Sequence, residues 1–235
     1  MTQSDAKPDY LGHRERLRQR FLLSDGKDMA DYELLELVLT ISLPRKDVKP
    51  LAKTLINKFG SFANVVNADK DELCKISGVK ENTTTILKII NVAAQRTTWQ
   101  NLQSLDGPII LNLDALIDYC RSAMCYSDVE EFRLIYLDSK LHVVGQEIMQ
   151  RGTINSVAIH PREVIKATMN NHAASIIMVH NHPSGSVKPS KSDVTMTERI
   201  DEACDSIGIK LLDHLVISKN DYYSFAQHNI LKNKS

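Results

Sequence analysis

Residues 175–193 read SIIMVHNHPSGSVKPSKSD, and this stretch decides how the second half of the chain folds. Its first six residues are almost wholly apolar, which predicts a strand in the middle of a sheet that is covered on both faces. Pro183, Gly185 and Pro189 then predict a tight, rigid loop. The segment after the loop, SKSDVTMTERIDEACDSI, predicts a helix that ends at Gly208, and IKLLDHLVIS predicts another strand.

The segments before this stretch predict more strands and helices of the same domain. EEFRLIYLD and HVVGQEIMQRG are rich in β-branched and aromatic residues, which indicates two strands joined by a turn at Asp138–Lys140. LDALIDYCRSAM predicts a helix, as does PREVIKATMNNHA, where Pro161 takes a first-turn position. Residues 106–235 are therefore predicted to form an α/β domain.

The first part of the chain has a different pattern, with apolar residues at helical spacing from residue 31 to about residue 96. Four helical segments are predicted there: DYELLELVLTI, VKPLAKTLINKF, KDELCKI and ENTTTILKIINVAAQR. A polar stretch that ends in Gly107-Pro108 predicts a linker at about residues 98–108. We therefore expect an all-helical domain over residues 1–100.

Composition excludes several classes of protein. The chain has 235 residues, 43% of them hydrophobic and 25% charged, and a net charge of zero, so it has no overall charge that attracts nucleic acid. The sequence has no apolar run near the roughly 18 residues of a membrane span, and its charged start does not resemble a signal peptide. The four cysteines form no C-x-x-C pair, which favours free thiols in a reducing cytoplasm. We expect a cytoplasmic protein without a membrane partner.

The same stretch carries a candidate metal site. His180 and His182 are two residues apart in an extended chain, so their side chains point to the same side. The loop that follows returns the chain and brings Asp193, in the first turn of the next helix, towards them. Two histidines and one carboxylate with an open fourth position are the ligands of a catalytic zinc ion, Zn²⁺, whose bound water has a pKa lowered towards about 7. A bare His-x-His is otherwise more often packing or surface.

The motif HNHPSG followed by PSxxD resembles the JAMM metalloprotease motif in the form that the bacterial RadC family carries. GHRERLRQRF, DYELLELVL, PRKDVKPLAK, RGTINS, HPREV and LLDHLVIS resemble RadC segments in the same order, over about residues 10–230. The resemblance implies an MPN/JAMM domain with a cytidine-deaminase-like three-layer arrangement. It also implies a zinc-dependent hydrolase that cleaves a peptide or isopeptide bond in a protein or peptide substrate.

The resemblance further implies a general base, a glutamate on an early strand. The RadC pattern places this glutamate two residues before a phenylalanine, which is Glu130, whereas more distant JAMM proteases place it directly before the phenylalanine, which is Glu131. Only one of the two can face the metal, because side chains alternate along a strand. Glu130 is preferred, and the other glutamate is expected to be a solvated strand residue.

Two further roles near the site stay open at this point. Ser190 matches the JAMM serine that stabilises the oxyanion on the substrate carbonyl, and it is equally suited to be the N-cap of the helix that starts near Lys191. His160, His172 and His214 are candidate partners of the ligands. His214 is the most promising of these because its neighbours predict a central strand.

The helical domain contains a possible DNA-binding turn. KISGVKENTTTILKII resembles a helix-hairpin-helix, in which a glycine turn, here at Gly78, presents backbone N–H groups to phosphate. Lys80 stands where the second glycine of that turn is usual, so the fit is imperfect. The arginine-rich residues 13–20 are either a phosphate patch or a solvated helix face. The alternative function is therefore a DNA-associated, repair-linked factor, whereas the intact ligand set argues against a purely structural scaffold.

Overall fold

A computed structural model describes residues 9–152 and 159–231. Most of the segment RGTINS, used above for the family resemblance, lies outside these residues. The chain forms two compact units, and the division falls between Ala93 and Ala94. Among the described residues, no helix is both long enough and apolar enough to cross a membrane.

The first unit is helical, as predicted. Leu35, Leu39, Leu55, Leu73 and Leu87 are fully buried at its centre, because each helix turns its apolar stripe inwards. Helix α4, which the sequence analysis did not predict, is only six residues long. The helices are α1 (Asp9–Ser24), α2 (Asp31–Ser42), α3 (Lys49–Phe59), α4 (Phe62–Asn67), α5 (Lys70–Cys74) and α6 (Glu81–Gln103).

The predicted linker at residues 98–108 is wrong over its first part, because α6 continues to Gln103. This segment is mostly polar but contains two large apolar residues. Trp99 and Leu102 pack against the core of the second unit, and the Trp99 ring lies 4.9 Å from the Tyr119 ring between centroids. The chain leaves the helix after Gln103 and turns at Gly107, whose φ of 109° suits glycine.

The second unit is built on a five-stranded sheet with the strand order β2-β1-β3-β4-β5. Strands β3 and β4 are parallel, and the other neighbouring pairs are antiparallel. The three-residue strand β5 was not predicted. A short 3-10 turn at Ile109–Leu111 precedes the elements, which are α7 (Leu113–Met124), β1 (Glu131–Leu137), β2 (Val143–Arg151), α8 (Pro161–Asn170), β3 (Ser175–Asn181), α9 (Lys191–Asp205), β4 (Lys210–Ile217) and β5 (Tyr222–Ser224).

Helices cover both faces of this sheet. Side chains that alternate along the strands pack on one face against α7 and on the other against α8 and α9. Strand β3 lies in the centre and is buried at every position, which confirms the prediction from its apolar sequence. The C-terminal end of this buried strand is where the candidate metal ligands begin.

Local signals in the sequence were also confirmed. Asp138 closes the predicted turn between β1 and β2, since its Oδ1 accepts hydrogen bonds from the amides of Lys140 (2.8 Å) and His142 (2.9 Å). Pro161 is in the first turn of α8. Gly208 follows α9 with a φ of 77°, a value that glycine adopts without strain.

Candidate metal centre and active site

Two histidine side chains converge at the end of β3. His180 is fully buried (0% exposed) and pairs in register with Phe132 of β1, and His182 follows immediately after the strand. Their Nε2 atoms lie 3.0 Å apart. The extended backbone therefore does bring the two imidazoles to one point.

The loop after β3 brings a carboxylate to the same point. Asp193 lies in the first turn of α9, and its Oδ2 lies 3.8 Å from the Nε2 atoms of both His180 and His182. Within the described part of the chain, these three residues are the group of histidine, cysteine and acidic side chains that could hold a metal. Neighbouring ligand atoms of tetrahedral zinc are about 3.3 Å apart, and the site's 3.0 and 3.8 Å lie on either side of that spacing.

A chain of hydrogen bonds determines which nitrogen of His180 faces the site. The Thr197 hydroxyl donates its one proton to the backbone carbonyl of Asp193 (2.6 Å), so it accepts from Nδ1–H of His214 (2.6 Å). Nε2 of His214 is then unprotonated and accepts from Nδ1–H of His180 (2.8 Å). His180 consequently presents the lone pair of its Nε2 to the site.

His182 reaches the same state by a separate route. Its Nδ1–H donates to the carbonyl oxygen of Ser186 at 2.6 Å, and in the neutral imidazole this bond selects the tautomer whose Nε2 carries a lone pair. Two lone pairs thus face each other at 3.0 Å and repel, and a cation bound between them removes that repulsion. The donor set therefore fits a metal ion.

Burial keeps the two inner imidazoles neutral. Loss of solvation lowers the pKa of His180 to about 4, although the Asp193 carboxylate acts in the opposite direction. The pKa of His214 is also lowered well below its ordinary value by burial, with His180 and His182 adding to the effect. Neutral imidazole is the form that binds a metal.

Ser190 is the N-cap of α9, which confirms that prediction. Its Oγ accepts from the Asp193 amide (3.2 Å), while its own amide donates to Asp193 Oδ2 (2.7 Å), so the two residues form a reciprocal capping box. The Ser190 hydroxyl also donates to Oδ2 at 2.7 Å. These bonds hold the Asp193 carboxylate towards the histidines.

The two candidate bases lie in different environments. Glu131 is buried (3% exposed), and its carboxylate contacts the Arg133 guanidinium. The glutamate that is not the base was expected to be solvated, and for Glu131 that expectation is wrong. Glu130 is half-buried, lies directly before β1 and precedes Phe132 by two residues; an extended backbone there would put its side chain on the face of Phe132 and His180. The assignment of Glu130 as the base stays a prediction.

Comparisons with known proteins agree with this geometry. The RadC-like JAB domain family matches residues 110–230, and the UPF0758 N-terminal family matches residues 10–85. The chain belongs to the RadC (UPF0758) family. A UPF0758 protein of Ruegeria pomeroyi is 43% identical over 225 residues, which are 95% of this chain and 100% of the relative.

Two more UPF0758 relatives are similar over their whole length. The protein of Rhodobacter capsulatus is 43% identical over 215 residues, 92% of this chain and 100% of the relative. The protein of Fusobacterium nucleatum is 38% identical over 231 residues, 96% of this chain and 100% of the relative.

Two residues at the site of this RadC-family chain were not predicted from its sequence, and the role of a third was left open. His214 is the partner of His180, whereas His160 lies at the N-cap of α8 and His172 in the turn after that helix. Thr197 was not singled out, although it follows Asp193 by one helical turn. Asn181, which stands between the two histidines, was not predicted either, and its side chain bonds to the backbone at the start of β1.

Burial keeps two of the four cysteine thiols of this RadC-family chain protonated. Cys120, Cys125 and Cys204 are buried, and Cys74 is exposed; none of the four is in a disulfide. Burial raises the pKa of Cys120 and of Cys125 to about 12, so neither forms the reactive thiolate at neutral pH.

The basic stretch of the RadC-family N-terminal unit is largely engaged within the unit. The buried guanidinium of Arg14 donates to the carbonyls of Leu43, Pro44 and Lys46, and Arg20 forms an ion pair with Glu33. Arg14 is therefore withdrawn from any phosphate patch, whereas Arg20 stays exposed, and the patch remains a prediction.

The glycine turn of the same unit has the expected backbone shape. Gly78 has a φ of 94°, and Lys80 is exposed. The amide of Val79, however, donates to the carbonyl of Ile76 (3.0 Å) and is not available to a phosphate. DNA binding through Gly78 and Lys80 stays a prediction.

The hydrogen-bond chain behind His180 leads to a testable expectation. We expect His214→Ala to weaken zinc binding about 10- to 100-fold, because His180 loses the acceptor that orients it. His214→Gln should lose less, since its amide oxygen can still accept from Nδ1–H of His180. Chelator competition for zinc measures the effect, with His160→Ala, whose side chain makes no cap bond, as the control. Unchanged affinity in His214→Ala would refute the orienting role.

Proposed function

We propose that this protein is a zinc-dependent hydrolase of the JAMM type that cleaves a peptide or isopeptide bond in a protein or peptide substrate. The observation that carries the proposal is the convergence of two imidazole lone pairs with the Asp193 carboxylate, each held by its own hydrogen bonds. The match to the RadC-like JAB domain family supports the reaction class.

Each residue of the proposed active site has a separate role in hydrolysis. A zinc ion held by His180, His182 and Asp193 would supply Lewis-acid chemistry, lowering the pKa of a water molecule towards about 7 and polarising a carbonyl. The Glu130 carboxylate accepts a proton from the attacking water as the new C–O bond forms. The same carboxyl then gives that proton to the amine nitrogen as the C–N bond breaks.

Ser190 is proposed to stabilise the negative charge that develops on the substrate oxygen. Its hydroxyl lies beside the ligand set, 2.7 Å from Asp193 Oδ2 and 2.7 Å from the Ser192 hydroxyl. This hydroxyl is a donor placed beside the site, and it would turn from the carboxylate towards the substrate oxygen to stabilise that charge. Its capping role and this catalytic role use different atoms: the Oγ lone pair caps the helix, and the proton is donated.

The layering and the cysteines support two lesser parts of the proposal. Helix α7 on one face of the sheet and α8 and α9 on the other are consistent with the cytidine-deaminase-like arrangement. Three buried free thiols are consistent with a reducing, cytoplasmic location.

The DNA-associated alternative has less support. Its best feature is the positive φ of Gly78, but Arg14 and Arg20 are engaged elsewhere and the chain has no net charge. Phosphate contacts need free cationic groups. The proposed function therefore rests on the metal site.

The proposal is tested by searching for zinc-dependent cleavage. The zinc-loaded full-length protein is incubated with a library of peptides and with ε-lysine-linked isopeptides, and new termini are identified by mass spectrometry. We expect cleavage that a chelator abolishes and that added zinc restores. Cleavage that persists in the chelator, or no zinc-dependent new termini in either library, would contradict the proposal.

A further inference from the structure

Asn181 stands between the two histidines but points to the opposite side of β3. It is buried (1% exposed), and its side chain makes two hydrogen bonds to the start of β1. Its Oδ1 accepts from the amide of Glu131 (2.7 Å), and its Nδ2 donates to the carbonyl of Val129 (3.2 Å). The two bonds bracket Glu130 on both sides along the chain.

The end of the β1–β3 ladder explains why a side chain makes these bonds. The paired residues of the two strands end at Phe132 and His180. Beyond that point β3 keeps only its pairing with β4, which runs along the whole of β3 and continues where the amide of His182 donates to the carbonyl of Ile217 (3.1 Å). A side-chain amide carries one carbonyl and an N–H donor, as a peptide group does, so Asn181 continues the missing pairing.

The residues around Glu130 are also held from the side of β2. The amide of Gly152 donates to the carbonyl of Glu130 (2.9 Å), and the carboxylate of Glu131 contacts the buried Arg133. The backbone of Glu130 is thus fixed on both sides, by β2 and by the side chain of Asn181. The contact made by Asn181 is the one that comes from β3, the strand that carries His180.

We propose that Asn181 is a positioning residue that ties Glu130 to the ligand strand, an inference that rests on the proposed function of Glu130 as the base. A base must hold a fixed distance from the reacting water, and an error of about 1 Å costs about a hundredfold in rate. A single residue between His180 and His182 therefore links the strand of the ligands to the backbone on either side of Glu130.

The test compares Asn181→Ala and Asn181→Asp with a matched control. Asn171→Asp removes an equivalent amide-to-carbonyl bond, from Nδ2 to the carbonyl of Ala167 (2.9 Å), at the end of α8. For Asn181→Ala we expect full zinc content, a kcat about 100-fold lower and a KM within about threefold, measured on the best-cleaved library peptide. Asn181→Asp keeps the acceptor for Glu131 and should fall between Asn181→Ala and the wild type, while Asn171→Asp should match the wild type.

A second readout does not depend on hydrolysis. In zinc-loaded Asn181→Ala, the amides of Glu131 and Gly152 should exchange with deuterium at least about tenfold faster, while Ile177 in the centre of β3 stays protected. Unchanged exchange at both amides, or an unchanged kcat, would overturn the inference, as would equal losses of kcat in Asn171→Asp. If the wild type hydrolyses nothing, the proposed function fails, and exchange still decides whether Asn181 holds this segment.

Discussion

Glu130→Gln is expected to lower kcat for peptide hydrolysis about a thousandfold while zinc content stays at the wild-type level. Glutamine has nearly the same shape as glutamate but does not accept a proton, so the general base is lost and the metal ligands are not. The measurement is single-turnover hydrolysis by the zinc-loaded full-length protein, with elemental analysis of the same samples.

Glu163→Gln is the matched control for this prediction. Glu163 is exposed on α8, and its carboxylate lies 3.9 Å from the exposed Arg162, so the kcat of Glu163→Gln should match that of the wild type. If Glu130→Gln keeps more than about a third of the wild-type kcat, a general base with the usual contribution cannot be at that position.

Glu131→Gln is expected to destabilise the protein by about 3 kcal/mol, the lower end of the cost of breaking a buried ion pair. The sequence alone predicted that the glutamate that is not the base would be a solvated strand residue. In the structure, the Arg133 guanidinium contacts the Glu131 carboxylate and donates to the Tyr119 hydroxyl (2.9 Å) and Gln146 Oε1 (2.9 Å). Removing the carboxylate leaves a buried cation without its counter-charge.

The neighbours of this pair do not replace the lost charge. Burial raises the pKa of Tyr119 to about 12, so its hydroxyl is neutral at pH 7, and Gln146 is neutral too. The melting temperature should fall by about 10 °C, with zinc still bound. The double variant Glu131→Gln/Arg133→Met should recover part of the loss, because no charge is then left buried. A melting temperature for Glu131→Gln equal to that of the wild type would refute this account.

The metal site was the part of the structure that the sequence predicted best. His180 and His182 converge because of the twofold alternation of a strand, and Asp193 follows because a short proline- and glycine-containing loop leads into the first turn of a helix. Both rules are local. Strands and helices with long apolar patterns were predicted for the same reason.

The predictions failed where a segment is short, or where residues distant in the sequence determine the local structure. Helix α4 and strand β5 have six and three residues, too few to show a period. The linker was misplaced because burial of Trp99 and Leu102 extends α6. The burial of Glu131 depends on Arg133 and on α7, and the role of Asn181 depends on where the ladder of β1 and β3 ends.

The metal content of the purified full-length protein tests the central claim most directly. Two neutral imidazoles and a carboxylate suit zinc, so elemental analysis should give about one zinc per chain in the wild type. His182→Ala and Asp193→Ala should each contain less than about a tenth of that amount, with the circular dichroism of a folded protein. Undiminished zinc in both variants would contradict the assignment of the site.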